Sequence, residues 1–351
     1  MQLAEDDLSL IHALQIRPRA TWAELGRALG TTPISLARRW DRLRDAGAAW
    51  VTAYRLPAEG AHYAFLEVAC RAADLAAARD ELVAWPAVMS VEEASRDYNL
   101  VLTVGTVSLQ DLSALVLDRI PGIAGVTGVR SHIVGRLHAE GSVWRVGALD
   151  PYAATAVAEI REPVTVHDGA IDPSDETWRP LVAALALDGR ASAAEIARST
   201  GRPVSTVGRQ LIRLLRSDVL RLRCDVAQGL TPYPFYVNWW CQVPTAHVPA
   251  AVGRLRTHAR VRQVASIPGP ANLLFSTWLG GPEEALRMQE FVEDELAPAR
   301  VVESAVVLRS AKRMGTLLGP QGRATGEVVP FAPDSRSGAI VHRDGAPLTP
   351  S

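Results

Sequence analysis

The chain has 351 residues, 48% hydrophobic and 21% charged, a balance that fits folded domains with real cores and leaves room for two to four of them. Its formal net charge of −1 gives no bulk signal for a nucleic-acid partner, so any such partner has to be read from local charge. The three cysteines, Cys70, Cys224 and Cys241, are isolated and lack metal-site or disulfide-framework spacing. No apolar run reaches membrane-spanning length and the acidic start has no signal-peptide character, which together point to a reducing, cytoplasmic setting.

Residues 1–57 begin with three helical segments. Leu8, Ile11 and Leu14 form an apolar stripe at helical spacing, and Arg17-Pro18-Arg19 breaks it. A short helix over 21–29 follows, ended by Gly30 as glycine ends helices at C′. Thr32-Pro33 supplies an N-cap and a first-position proline for a third helix, which Gly47 stops. Trp50, Tyr54 and Leu56 then suggest a short hairpin or wing. Over 60–140 the pattern changes. Strands at 63–69, 88–94, 99–105 and 126–137 alternate with helices at 74–84 and 109–120, the β-α-β-β-α-β order of a ferredoxin-like domain. Residues 141–173 read as a linker with one further helix near 153–160.

The whole plan then returns. Ala20-Thr21-Trp22-Ala23-Glu24-Leu25-Gly26-Arg27 reappears 171 residues on as Ala191-Ser192-Ala193-Ala194-Glu195-Ile196-Ala197-Arg198, and the same shift pairs Gly30 with Gly201 and Arg38 with Arg209. Asn99-Leu100-Val101-Leu102-Thr103 reappears 173 residues on as Asn272-Leu273-Leu274-Phe275-Ser276. Two nearly equal shifts mean that one two-part unit was duplicated whole. The fold class expected is therefore α+β: helical domains at 1–57 and 174–227, each followed by a ferredoxin-like domain, at 60–140 and 233–312. The tail, 319–351, is rich in Gly, Pro and polar residues and reads as disordered.

A helix, a tight glycine-containing turn and a second helix form the helix-turn-helix signature. On the third helix Leu36, Trp40 and Leu43 fall at i, i+4 and i+7 and pack inward, leaving Ser35, Arg38, Arg39 and Arg42 outward. In the second copy Val207, Leu211 and Leu214 pack inward while Thr206, Arg209, Gln210 and Arg213 face out. Arginine suits guanine edges, glutamine adenine, and hydroxyls phosphate or base, so double-stranded DNA is the expected partner, with Thr32 and Arg202 at the turns completing the candidate set. Asp41 is the sole carboxylate before Asp45 on the first of these helices and residues 204–216 have none, whereas a merely solvated face mixes signs. Arg17, Arg19, Arg44, Arg190 and Arg216 are candidates for backbone phosphates. The faces differ at Ser35/Thr206 and Arg39/Gln210, which predicts an asymmetric operator.

Asp7-x3-Ile11-x2-Leu14, Ala23-Glu24-Leu25-Gly26, Thr31-Thr32-Pro33 and Arg38-Arg39-x3-Leu43 resemble the Lrp/AsnC regulators, across roughly 5–140 and again 175–312. The resemblance implies a winged helix-turn-helix joined to a ferredoxin-like effector domain, often called RAM. It also implies DNA binding as dimers or larger oligomers, self-association through the ferredoxin-like domains, and a small-molecule effector such as an amino acid. It places the effector loop, a Gly-x-x-Asp-type turn, at Arg96-Asp97-Tyr98-Asn99 and at Gly269-Pro270-Ala271-Asn272. Arg96 replaces the glycine in the first copy, and both copies carry Asn where many members have Asp. The carboxylate that would pair an ammonium group is thus missing, Asp97 being the one substitute, and the two sites are expected to be unequal. The alternative is that both asparagines only shape a turn.

Catalytic signals are weak. There is no P-loop and no G-x-S-x-G, and Gly122-Ile123-Ala124-Gly125-Val126-Thr127-Gly128 has the wrong spacing for a dinucleotide loop. No catalytic residue, metal or cofactor is assigned, and a regulator rather than an enzyme is expected. The enzymatic alternative is the siroheme decarboxylases, which are similar in their two-part unit. Arg96-x-Tyr98-Asn99-Leu100 resembles their motif, but the adjacent His and Tyr expected before it are replaced by Glu92-Glu93-Ala94-Ser95, and by Ser266-Ile267-Pro268-Gly269 in the second copy. A third reading, an oligomerisation scaffold with decayed DNA binding, runs against the paired arginines.

Overall fold

The structure is a computed structural model that describes residues 2–55, 61–162, 164–166, 171–173, 175–333 and 341–342. The chain opens with helices α1 (Glu5–Ile16), α2 (Trp22–Leu29) and α3 (Pro33–Asp45) and strand β1 (Ala49–Arg55). Thr21 caps α2 and accepts from the Glu24 amide while the Glu24 carboxylate accepts from the Thr21 amide, a reciprocal pair that satisfies two orphan donors. Gly30 ends α2 at φ 64°, where a side chain would be strained, and Thr32 then caps α3. Leu36, Trp40 and Leu43 of α3 are buried against Leu10, Ile11, Leu14 and Leu25, the inward stripe that the spacing predicts.

Next come β2 (His62–Cys70), α4 (Leu75–Val83), β3 (Val88–Ala94), β4 (Leu100–Thr106), α5 (Leu109–Ala114, continuing as a π turn) and β5 (Val126–Ile133). After β6 (Arg136–Ala139) and the linker helix α6 (Pro151–Ala158) the plan repeats: α7 (Arg179–Leu187), α8 (Ala193–Thr200), α9 (Val204–Arg216), β7 (Leu220–Val226), β8 (Phe235–Gln242), α10 (Val248–Thr257), β9 (Val261–Ser266), β10 (Leu273–Leu279), α11 (Pro282–Asp294) and β11 (Arg300–Arg313). Each β-α-β-β-α-β set forms an antiparallel four-stranded array, in orders β5-β2-β4-β3 and β11-β8-β10-β9. Each array packs its helices on one face, over Leu66, Leu82 and Leu102 in the first and Leu255, Phe275 and Val292 in the second. The opposite faces meet each other through Phe65, Val101, Trp240 and Leu274.

Both arrays belong to one sheet. The end of β11 pairs with β3 (Val307↔Ala94, Lys312↔Val91) and β6 pairs with β9 (Arg136↔Ser266, Leu137↔Ala265). Strands β3 and β9, which would be open edges in an isolated unit, are therefore covered inside the chain.

The strand after each helical domain does not turn back into a local hairpin. Instead β1 pairs antiparallel with β7, from Ala49↔Val226 through Thr52↔Arg223 to Arg55↔Leu220; Leu56 of the expected wing lies outside the described residues. Each unit's first helix packs on the other unit's strand, α1 on β7 and α7 on β1. Arg19 donates to the carbonyls of Gly189 and Ala191, and Arg190 donates to those of Pro18 and Ala20 while its guanidinium lies 4.0 Å from the centre of the Trp22 ring. The linker is clasped by α1: Gln15 accepts from the Val146 amide, His12 Nδ1 accepts from the amides of Ala148 and Leu149, and Arg17 donates to the Ile160 carbonyl.

The tail departs from expectation. Residues 316–328 form β12 (Thr316–Leu318) and β13 (Ala324–Val328), which pairs with β14 (Val341–His342), and Val329 and Phe331 are buried. The polar composition conceals these anchors, Val328 among them, and the backbone bond from the Ala324 amide to the Gly47 carbonyl. Residues 334–340 and 343–351 lie outside the described residues. No helix among the described residues is long and apolar enough to cross a membrane.

Burial, with Arg145 nearby, holds the His12 imidazole down at a pKa of about 4. The unfolded chain takes up that proton first, at its ordinary value near 6.5. The stability contributed by the neutral ring is thus complete above that pH and is lost as the pH falls towards 4. Urea midpoints should drop between pH 6.5 and 5, and His12→Asn, whose Oδ1 keeps the acceptor, should flatten that slope; an equal slope in both proteins would contradict this.

Candidate DNA interface and effector sites

The two helix-turn-helix elements are α2–α3 and α8–α9, each with a left-handed glycine at the turn, Gly30 and Gly201. On α3, Thr32, Ser35, Arg38 and Arg42 are exposed and Arg39 is half-buried; on α9, Arg209 and Arg213 are exposed while Arg202, Thr206 and Gln210 are half-buried. Arg38 and Arg209 have no ion-pair partner among the described residues. Arg39 is engaged by Asp6 and Asp7, at 2.9 and 3.0 Å, and Arg42 by Asp7. These carboxylates come from α1, so a search along the recognition helix alone misses them. Arg202 donates to the carbonyls of Glu176 and Thr177, Arg213 lies 5.3 Å from the Trp178 ring centre, and the Gln210 side-chain oxygen is buried.

Four of the five arginines expected at phosphates are committed elsewhere. Arg19 and Arg190 clasp the opposite unit, Arg17 holds the linker, and Arg44 pairs with Asp41, Asp45 and Asp188. Each lies beside a backbone carbonyl or carboxylate that only the tertiary fold supplies. Arg216 alone of the five is exposed.

The expected effector loops join β3 to β4 and β9 to β10. In both, the asparagine clips the neighbouring strand. Asn99 donates to the Cys70 carbonyl and accepts from its amide; Asn272 does the same with Val243. Their amides are spent on the turn. Arg96 is also committed, to the fully buried Glu67 and to Glu303, with Trp240 beneath it. Arg130 covers the Tyr98 ring and joins the same carboxylates, and His132 Nε2 lies 2.7 Å from Glu67. Asp97 is exposed. Gly269 and Pro270 border an open groove with Thr245 and Arg300, and Ala271 packs on the inner core instead. Among the described residues no group of His, Cys, Asp or Glu side chains is placed to hold a metal ion.

A further cavity lies away from both loops. A cavity of about 600 Å3 opens between the β1–β7 ribbon and the inner faces of the two arrays, with Tyr54, Tyr63, Glu92, Arg223, Arg262 and Arg313 in its wall. Burial would raise the Asp225 carboxyl, but Arg223, Arg313 and Arg262 hold it below the usual range. Burial does raise Glu92, against hydrogen bonds from Tyr236 and Asn238. Arg262 is pushed down to about 9 by burial and by Arg223, still cationic at neutral pH. These residues were not singled out from the sequence. The available signal was charge inside an otherwise apolar strand, as in Val261-Arg262-Gln263-Val264, and the register shift that turns Arg262 to the cavity is not legible from a period of two.

Residues 3–44 match the family model of the AsnC-type helix-turn-helix domain and residues 63–143 that of the Lrp/AsnC ligand binding domain. The HTH-type transcriptional regulator FL11 of Pyrococcus abyssi is 28% identical over 143 residues, 40% of this chain and 94% of its own length. FL11 of Pyrococcus horikoshii is 28% identical over 141 residues, 39% of this chain and 93% of its own. Among solved structures, the siroheme decarboxylase NirDL superposes with a TM-score of 0.54 at 15% identity, covering 88% of this chain and 92% of its own. That likeness is one of fold, and it spans both units.

Asn99→Ala and Asn272→Ala should each lower stability by about 1–3 kcal/mol, because each strands a backbone donor and acceptor, read as a shifted urea midpoint at constant m-value. Unchanged midpoints in both would contradict the turn-holding role.

Proposed function

Because the chain belongs to the Lrp/AsnC family and carries two of its units, we propose that it is a DNA-binding transcriptional regulator in which one chain does the work of a dimer. The observation that carries this reading is the β1–β7 ribbon. Its seven antiparallel pairs join the strand that follows α3 to the strand that follows α9, so that the two helices enter the ribbon from opposite ends. Dimeric readers need two helices addressing half-sites one turn of DNA apart. Ser35, Arg38, Thr206 and Arg209 are the proposed contacts, with Thr32 and Arg216 at the margins. Arg39 and Arg42 would have to exchange Asp6 and Asp7 for phosphate, so the first unit grips DNA less strongly than its arginine count suggests. The ferredoxin-like pair is the effector part. Self-association is left to the outer edges of β5 and β6 and the open side of the first half of β11, since β3 and β9 are paired within the chain.

A second reading is a tetrapyrrole enzyme of siroheme-decarboxylase type. It is favoured by the fold shared across both units and by the arginine-walled cavity, and opposed by the missing His-Tyr pair before Arg96. Release of carbon dioxide from siroheme incubated with the protein would decide for it.

The regulator reading is tested by fluorescence anisotropy with DNA from upstream of the protein's own gene, across a salt series. Arg38→Ala and Arg209→Ala should each weaken binding and shorten the log–log salt slope by about 1. Absence of salt-sensitive binding by folded protein, or slopes untouched by both changes, would contradict it.

A further inference from the structure

The central cavity breaks the symmetry of the repeat in one direction. The shift of 173 residues matches Tyr63 with Tyr236 and Thr103 with Ser276 around it, so both halves frame it alike. The same shift places Arg262 against Met89 and Arg313 against Glu140, and the shift of 171 places Arg223 against Thr52. All three buried arginines come from the second unit, and none of their first-unit counterparts is cationic.

Arginines outnumber the carboxylates around the cavity. Asp225 serves Arg223 at 2.7 Å and Arg262 at 3.5 Å, and Glu140 on the cavity wall, which accepts from the Tyr54 hydroxyl and pairs with Arg221, also bears on Arg223. The Glu92 oxygens are taken by the Tyr236 hydroxyl and the Asn238 amide. Arg313, 5% exposed, donates through Nη1 to the Val226 carbonyl, while its Nη2 has no hydrogen-bond partner among the described residues. An uncompensated buried guanidinium is costly unless something anionic completes it. Arg262 is fixed in place, its guanidinium 3.6 Å from the Trp278 ring centre and 4.7 Å from that of Trp144. Tyr54, Tyr63, Phe65 and Tyr236 add ring surface to the walls. A volume of about 600 Å3 falls within the roughly 300–1,000 Å3 of sites for drug-sized ligands, far beyond what one free amino acid fills.

We propose that this cavity is a binding site for a ring-bearing organic anion with at least two acidic groups, which Arg313 and Arg262 receive. The proposal rests on the ferredoxin-like pair being the effector part, and moves the effector from the asparagine loops to the centre of the molecule. Tyr54, Arg55, Arg221 and Arg223 on its wall belong to the ribbon that carries both recognition helices. A ligand joining the ribbon to Arg262 and Arg313 on the sheet therefore bears directly on how those helices are held.

Fluorescein, a ring-bearing dianion, serves as the probe, read by fluorescence polarisation with the full chain. Saturable binding is expected, displaced by citrate and not by L-leucine. Arg313→Met and Arg262→Met should each weaken it at least tenfold. Thr103→Trp, which fills the cavity from the opposite wall and leaves the arginines untouched, should abolish it in protein with a wild-type urea midpoint. Arg38→Ala should bind the probe as the wild type does, which separates this site from the DNA interface. No saturable binding, equal displacement by L-leucine, or wild-type binding by Thr103→Trp would overturn the proposal. Each of those results would leave the DNA measurement standing on its own.

Discussion

The antiparallel pairing of β1 with β7 is the constraint on which the rest depends. Among the described residues neither strand has a partner in its own unit, and each is covered by the first helix of the other. A single unit would expose a seven-residue edge together with the apolar sides of Val51 and Ala53, or of Cys224 and Val226, the kind of edge that seeks another chain. Duplication inside one chain supplies that partner permanently. The reciprocal clasp of Arg19 and Arg190 across the same axis, and the crossed joints of β3 with β11 and β9 with β6, repeat the solution at two further levels.

Once both copies are tied together, they are free to diverge. The first kept a basic recognition helix but set two of its arginines against Asp6 and Asp7. The second turned arginines inward, at Arg223, Arg262 and Arg313, where the first has Thr52, Met89 and Glu140. A homodimer cannot do this, because any buried cation would appear on both sides of the axis. A cavity with its buried cations on one side only is a property that two non-identical copies can have and a homodimer cannot.

Much of the fold was legible in the sequence because its signals are local. Gly30 terminates a helix, Thr32-Pro33 opens the next, and the period of two marks the strands, so the repeat and the β-α-β-β-α-β order follow without tertiary information. The site was less legible, because what an arginine does depends on what the fold brings to it. Arg38 and Arg39 are neighbours in sequence, yet only Arg39 meets the carboxylates of α1. Arg19 looks like a phosphate contact until Gly189 and Ala191 are placed beside it. The tail read as disordered because three buried residues, Val328, Val329 and Phe331, are too few to outweigh its polar composition.

A chain that joins both recognition helices through one ribbon should address two half-sites at a fixed separation. The most direct test takes a bound operator from a footprint and inserts five base pairs, half a helical turn, between its halves. Binding should collapse to the weak affinity of a single half-site and be restored by a ten-base-pair insertion. Affinity indifferent to both insertions would contradict a fixed separation.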